Sequence, residues 1–177
     1  MATKVVIDVV LDPSTEAVSE IEVEVHPEWA PLGAARFLQL VDEKYYDECR
    51  IYRVIPGFIC QWGIPADPAQ FRKWGENKIN DDPVKTSNTR GKISFATSGP
   101  HARGSQVFIN YDDSCAQLDD QGFSPFALVT RGMEVAEALH VHQGEPKPDQ
   151  ATAKERGNAY FKSQLPKLSY IKTVRRL

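Results

Sequence analysis

The chain has 177 residues, of which 41% are hydrophobic, and this proportion suits one globular domain, residues 1–177, with a sizeable core. A formal net charge of −3 places it outside the strongly basic class, so neither nucleic acid nor an anionic membrane is expected as a partner. Its three cysteines form no CxxC motif, which favours free thiols in a reducing compartment over a disulfide framework.

The N-terminal stretch MATKVVIDVVL, residues 1–11, has one lysine followed by an apolar run that Asp8 interrupts. It is too short and too polar for the apolar region of a signal peptide, and its alternation predicts a first strand. No apolar run in the sequence approaches the length of a membrane span. A soluble, cytoplasmic protein is therefore expected, unless a leader has been removed.

The next segments alternate between strand and helix patterns. Residues 19–27 alternate apolar side chains with glutamates, which predicts an antiparallel strand with one wet face. This strand is expected to pair with residues 4–11. Residues 31–43 change to helical spacing, with Pro31 at the expected start. Further strands are predicted at 51–55, 58–62, 92–96, 106–110 and 126–130, and a short helix at 132–140.

Two later segments depart from this simple alternation. Residues 62–88 are irregular and rich in Asp, Asn and Pro, and loops of that length are usually functional or partly mobile. Residues 151–164 have helical spacing, which Gly157 weakens, and residues 167–174 are expected to form a closing strand. The pattern predicts a mainly antiparallel β domain, either a barrel or a sandwich, with two or three covering helices.

Several common catalytic motifs are missing from the sequence. It has no GxGxxG, P-loop, GxSxG or HExxH motif. His140 and His142 have no third partner at a diagnostic spacing, so a metal site is not expected. Cys60 lies in an apolar run, where a buried, inert thiol is the favoured interpretation. Hydrolase and transferase functions therefore have no candidate residues.

Three polar residues stand inside otherwise apolar strand patterns. Arg53 and Gln61 lie on either side of a Pro-Gly turn, and Gln106 precedes an apolar run. Each could simply occupy the solvent face of a half-buried strand. Together they could instead line an apolar groove that binds an extended peptide and fixes its backbone.

Two long segments resemble the cyclophilin family. YRVIPGFICQ, residues 52–61, is similar to its signature, and ISFATSGPHARGSQVFI, residues 93–109, resembles its second block. LDDQGFSPFALV, residues 118–129, resembles a third, looser block, and GMEVAEAL fits the helix that follows. The resemblance extends from about residue 5 to residue 142 in consistent order.

The resemblance implies an eight-stranded antiparallel β-barrel capped by two helices, to which the helical spacing described above adds an extra C-terminal helix around 150–164. It also implies peptidyl-prolyl cis–trans isomerisation without a cofactor or metal, in the service of protein folding. Arg53 matches the family's catalytic arginine, and Gln61 matches the glutamine beside it. The other matching positions form the proline pocket and the groove for the preceding residues: Phe58, Ile59, Ala96, Thr97, Ser98, Gln106, Phe108 and Leu118. Phe123 falls near the family's pocket histidine, at a different spacing.

The sequence departs from the family pattern at several places. Gln117 stands where many cyclophilins have a tryptophan that contacts cyclosporin-type ligands, so weak binding of such ligands is expected. The loop after the signature contains Trp62 and Trp74, which are expected to pack it down, or alternatively to shape a secondary pocket. Residues 144–167 are longer than the usual link and are interpreted as an extra cap or, less favourably, a docking element.

Two functions remain open at the level of sequence. One is an active isomerase, a monomer that acts on proline-containing peptides and on unfolded or folded proteins. The other is a module that binds proline segments, with incidental isomerase activity. The enzyme is favoured by the joint presence of Arg53, Phe58, Gln61, Gln106 and Phe108, because a pure binding module would not require the arginine.

Overall fold

The computed structural model describes residues 2–177. Within them a single sheet contains nine strands in the order β3-β9-β1-β2-β8-β6-β7-β5-β4, and every adjacent pair is antiparallel. The strands are β1 (Thr3–Val10), β2 (Ser19–Val25), β3 (Cys49–Arg50), β4 (Arg53–Ile55), β5 (Ile59–Trp62), β6 (Lys92–Phe95), β7 (Val107–Asn110), β8 (Ala127–Arg131) and β9 (Tyr170–Arg176).

The chain itself closes this sheet into a barrel. Its two edge strands, β3 and β4, are consecutive in sequence and are separated only by Ile51 and Tyr52. Arg50 and Arg53 can therefore be at most about 11 Å apart, so the edges must curl towards each other. The antiparallel barrel confirms the predicted fold class. The count is nine strands rather than eight because the segment around the predicted strand 51–55 contributes two short strands.

The helices cover this barrel. They are α1 (Pro31–Asp42), α2 (Pro68–Gln70), which continues into a π-helical turn at Phe71–Gly75, a 3₁₀ helix at Asp113–Gln121, α3 (Met133–Glu137), α4 (Gln150–Arg156) and α5 (Asn158–Gln164). The predicted helix 151–164 is thus present but divided at Gly157. No helix in residues 2–177 combines the length and the hydropathy that a membrane crossing requires.

The helix α1 and the turn after it hold the segment that leads into β7. Phe37 packs into the main core and is fully buried. The buried Arg36 donates from Nη1 to the carbonyl oxygen of Gly104 at 3.1 Å. Two tyrosines hold the next residue: Tyr45 donates to Ser105 Oγ at 2.7 Å, and Tyr46 donates to the Ser105 carbonyl at 2.8 Å. Hydrogen bonds from buried side chains of α1 and the following turn therefore fix residues 104 and 105.

The helical pair α4–α5 covers the seam between the two edge strands. It contributes to a second apolar cluster that contains Tyr52, the residue between β3 and β4; the full cluster is Tyr52, Ile64, Ala153, Tyr160, Phe161, Leu165 and Leu168. Gly157 has a φ of +58°, and a Cβ at that position would lie 2.2 Å from the Ala66 carbonyl oxygen. A glycine is required there because the two backbones approach so closely. The interpretation of residues 144–167 as a cap agrees with this packing.

Candidate active site

A cleft of about 410 Å³ lies across the outer face of the barrel. The residues that the sequence analysis singled out all line it: Arg53, Phe58, Ile59, Gln61, Ala96, Thr97, Ser98, Gln106, Phe108, Leu118 and Phe123. The sheet register explains part of this convergence. Arg53 is the cross-strand partner of Gln61, and Gln61 is the partner of Phe108. Directly opposed residues point to the same face, so the three side chains form one row across β4, β5 and β7.

One end of the cleft is apolar. Ile59, Phe108 and Leu118 form a buried cluster with Cys115, against which Phe58, Ala96 and Phe123 pack. The rings of Phe108 and Phe123 meet edge to face, with centroids 5.5 Å apart. Such a pocket suits a small apolar ring such as that of proline. Phe123 therefore lies in the pocket, at the place where the sequence comparison could match it only approximately.

A chain of side-chain hydrogen bonds runs along the polar side of the cleft. The exposed Arg53 donates from Nη1 to Gln61 Oε1 at 3.0 Å. Gln61, which is 6% exposed, donates from Nε2 to Gln106 Oε1 at 3.0 Å. The guanidinium is thus fixed at one nitrogen by a buried amide, while its remaining N–H groups are available to a ligand.

Tyr52 belongs to this network, although the sequence analysis did not single it out. Its hydroxyl donates to Gln106 Oε1 and accepts from Gln61 Nε2 at 2.9 Å. Burial raises the pKa of Tyr52 well above the usual range, so the hydroxyl stays protonated and remains a donor. Its position beside Arg53 in a strand-like run could have identified it as a member of the network, because buried tyrosine hydroxyls usually form a hydrogen bond.

Four further side chains, besides the backbone of Gly75, line the cleft and come from segments without a clear motif. Phe71 and Lys78 belong to the long segment between β5 and β6, and Gln150 and Lys154 belong to α4. Gln106 donates from Nε2 to Gln150 Oε1 at 3.3 Å, which links α4 to the polar network. The C-terminal cap thus also contributes to the wall of the cleft.

The two loop tryptophans and Cys60, which were also considered in the sequence, have structural positions outside the cleft. Trp62 and Trp74 are buried in the main core and do not line the cleft, in agreement with the interpretation that they pack down the loop. Cys60 is buried, as predicted, and burial raises the pKa of its thiol to about 12, which keeps the thiol protonated. Within residues 2–177, no three His, Cys, Asp or Glu side chains are grouped as a metal site would need.

Comparison with known proteins agrees with this geometry. The family model described as cyclophilin type peptidyl-prolyl cis-trans isomerase/CLD matches residues 10–156. The Gibberella zeae protein named peptidyl-prolyl cis-trans isomerase-like 3 is 38% identical over 103 residues, 52% of this chain and 60% of that protein. The human protein of the same name is 34% identical over 126 residues, 69% of this chain and 76% of that protein.

A solved structure shows the same fold. A crystal structure of a cyclophilin type peptidyl-prolyl cis-trans isomerase from Cryptosporidium parvum superposes with a TM-score of 0.71 at 23% identity, covering 100% of this chain and 98% of that chain. That protein has also been crystallised in the presence of the dipeptide Ala-Pro.

Fold and cleft together define an antiparallel β-barrel with a partly apolar cleft on its outer face. The apolar pocket and the fixed guanidinium lie within the stretch that the family model matches. This chain belongs to the cyclophilin-type peptidyl-prolyl cis-trans isomerase family.

Proposed function

We propose that this protein catalyses rotation about X–Pro peptide bonds, with Arg53 as the catalytic residue. The observation that carries the proposal is the row formed by Phe108, Gln61 and Arg53, which places a fixed guanidinium beside an apolar pocket. The proline ring enters the pocket formed by Phe58, Phe108, Leu118 and Phe123. The residues before the proline lie along Ala96, Thr97, Ser98 and Gln106.

The chemistry requires a hydrogen-bond donor rather than a nucleophile. Rotation about a peptide bond costs about 18–20 kcal/mol because amide resonance must be broken. In the twisted transition state the proline nitrogen regains its lone pair and accepts a hydrogen bond that the planar amide cannot accept. Arg53 donates to that nitrogen, and a donor that acts only in the transition state accelerates the reaction. The apolar pocket keeps competing water away from this bond.

The test is isomerisation of a proline-containing peptide by the native protein and by Arg53→Ala. We expect kcat/KM to fall about 100-fold to 1000-fold, as is typical when one transition-state donor is removed. Because Arg53 is exposed and outside the core, the variant should keep the native melting temperature. The matched control is Arg131→Ala, another exposed strand arginine, which does not line the cleft.

Peptide affinity measured alongside turnover separates the two candidate functions. An Arg53→Ala variant with near-native turnover would overturn the catalytic assignment. A native protein that binds the peptide without accelerating its isomerisation would identify a proline-binding module instead.

We further propose that the protein works in the cytoplasm as a monomer and assists the folding of proteins that contain proline. Its three cysteines, Cys49, Cys60 and Cys115, are buried and free, which suits a reducing compartment. Cell fractionation tests the location, and size-exclusion chromatography with light scattering tests the monomer. A disulfide-linked or membrane-associated product would contradict this proposal.

A further inference from the structure

The charged residues that line the cleft are all cationic. Among residues 2–177 they are Arg53, Lys78 and Lys154, and no Asp or Glu side chain lines the cleft. This contrasts with the chain as a whole, whose formal net charge is −3. A cleft lined by one sign of charge attracts ligands of the opposite sign more strongly than the net charge of the protein would suggest.

Lys78 and Lys154 belong to the same end of the cleft because both contact the π-helical turn Phe71–Gly75. Lys78 donates from Nζ to the Gly75 carbonyl oxygen at 3.3 Å. The Lys154 ammonium lies 5.4 Å from the centroid of the Phe71 ring. Neither lysine forms an ion pair with a carboxylate within the described residues. Both charges are therefore available to a ligand.

This end of the cleft lies on the side where the substrate residues that precede the proline would bind. Phe108 of the apolar pocket, Gln106 and Gly104 are alternate residues of the chain that leads into β7. Gln106 and Phe108, alternate residues at the start of the strand, are about 6.6 Å apart, and the chain bends at Ser105 before Gly104. Lys78 Nζ would lie 3.5 Å from a Cβ at Gly104, so it stands beyond Gln106 as seen from the proline pocket.

We propose that Lys78 and Lys154 select substrates with an acidic side chain two or three residues before the proline. A peptide whose proline lies against Phe108 extends past Gln106, and its second or third preceding residue reaches the two ammonium groups. The contribution of Lys154 comes from α4, the cap over the barrel seam. This inference rests on the proposed function, because it uses the same direction of the bound peptide.

The experiment compares acetylated, C-terminally amidated peptides that carry Glu, Ala or Lys at the second or third position before the proline. Neutral ends are needed because a charged blocking group would itself interact with the lysines. Isomerisation is followed by NMR exchange, and affinity by titration. We expect kcat/KM for the better Glu peptide to exceed that of its Ala counterpart about threefold to fivefold at low salt, the range of exposed ion pairs. The preference should decline as salt screens the charges.

The variants Lys78→Glu and Lys154→Glu should each reduce the ratio of kcat/KM between the Glu and Lys peptides, and the double variant should invert it. Using this ratio removes any general change in activity. The matched control is Lys162→Glu, which makes the same charge change at an exposed position that does not line the cleft. It should leave the ratio as it is in the native protein.

The outcomes separate this inference from the isomerase proposal. Equal rates for Glu, Ala and Lys peptides in an active native protein would overturn the charge selection and leave the role of Arg53 intact. If no peptide is isomerised, the isomerase proposal fails, and the titration still decides whether Glu peptides bind more tightly. An equal effect of Lys162→Glu on the ratio would show a long-range charge effect and would also overturn the inference.

Discussion

The Arg53 side chain is exposed, yet it is held in place by the buried side chain of Gln61. Its Nη1 donates to Gln61 Oε1, and Gln61 is in turn fixed by Tyr52 and Gln106. An exposed arginine ordinarily loses much of its rotamer freedom when it binds a ligand, at a cost of about 2 kcal/mol. Here the network has restricted the guanidinium before the substrate arrives, which is the preorganisation that transition-state stabilisation requires.

The shape of this donor is tested by Arg53→Lys. The planar guanidinium can donate to Gln61 and to the substrate at the same time, whereas the single ammonium of lysine cannot reproduce that geometry. We expect kcat/KM to fall at least about tenfold, with peptide affinity changed much less. Arg131→Lys is the control, and a native kcat/KM for Arg53→Lys would show that charge alone is sufficient.

Gln117 gives a second prediction for a single residue. It is exposed on the 3₁₀ helix, next to Leu118, which lines the cleft. We expect Gln117→Trp to strengthen cyclosporin binding about tenfold, since partial burial of an indole contributes about 1–2 kcal/mol. Calorimetric titration of both proteins checks this. Tight binding by the native protein, without further gain in the variant, would contradict it.

Among single residues, the sequence was informative where the site is built from local motifs. The residues of the signature and of the second block could be located because those segments resemble the family, and adjacent strands then bring Arg53, Gln61 and Phe108 together in register. Gln150 and Lys154 could not be located, because they reach the cleft through a contact between residues 44 positions apart. Exposure of a polar residue on a short helix gives no signal of the surface that it faces.

At the level of elements, the structure differs from the sequence prediction mainly where the chain changes partners. The predicted strand 51–55 is interrupted because Tyr52 leaves the ladder and packs against α5, where its ring stacks with Phe161 at a centroid distance of 6.2 Å. The predicted helix 151–164 is divided because the chain must approach Ala66 at Gly157. Both features depend on contacts distant in sequence, which periodicity does not encode.

Gly157 provides the prediction for an element. In Gly157→Ala the new Cβ would clash with the Ala66 carbonyl oxygen and strain a positive φ, so α4 and α5 must shift. We expect a loss of about 2–3 kcal/mol, which for a domain of this size lowers the melting temperature by about 4–12 °C. Thermal unfolding followed by circular dichroism measures this.

The matched control for this prediction is Gly144→Ala. Gly144 also has a positive φ of +81°, but a Cβ there would have nothing within 4 Å. The stability lost in this variant should be limited to the cost of the conformational strain, about 1 kcal/mol. If both variants melt at the same temperature, the contact with Ala66 does not determine the position of the cap.

For the whole molecule, the buried cysteine thiols and tyrosine hydroxyls predict a loss of stability at high pH. Burial raises the pKa of the Cys49 and Cys60 thiols to about 12, and it also raises the pKa of Tyr45 and Tyr46. These groups titrate at lower pH in the unfolded chain than in the folded one. Their contribution is therefore complete below about pH 8.5 and is lost as the pH rises towards 12.

Melting temperatures under reducing conditions at pH 8, 9, 10 and 10.5 measure this loss. For each group, the free energy of unfolding falls by up to about 1.4 kcal/mol for every pH unit above the pKa that the group has in the unfolded chain. The double variant Cys49→Ala, Cys60→Ala, although less stable at pH 8, should lose less stability between pH 8 and pH 10. An unchanged melting temperature up to pH 10.5 would contradict the prediction.

The order of the strands also has a consequence for the way the protein is made. The last strand, β9, lies between β3 and β1, and the helices that cover the seam directly precede it in the sequence. A ribosome delivers the chain from its N-terminus, so β1 and β3 emerge long before the strand that joins them. The barrel can be completed only after β9 has left the ribosome. Arg53 lies well before β9 in the sequence, so the barrel that carries it is completed only after the residues between them have been synthesised.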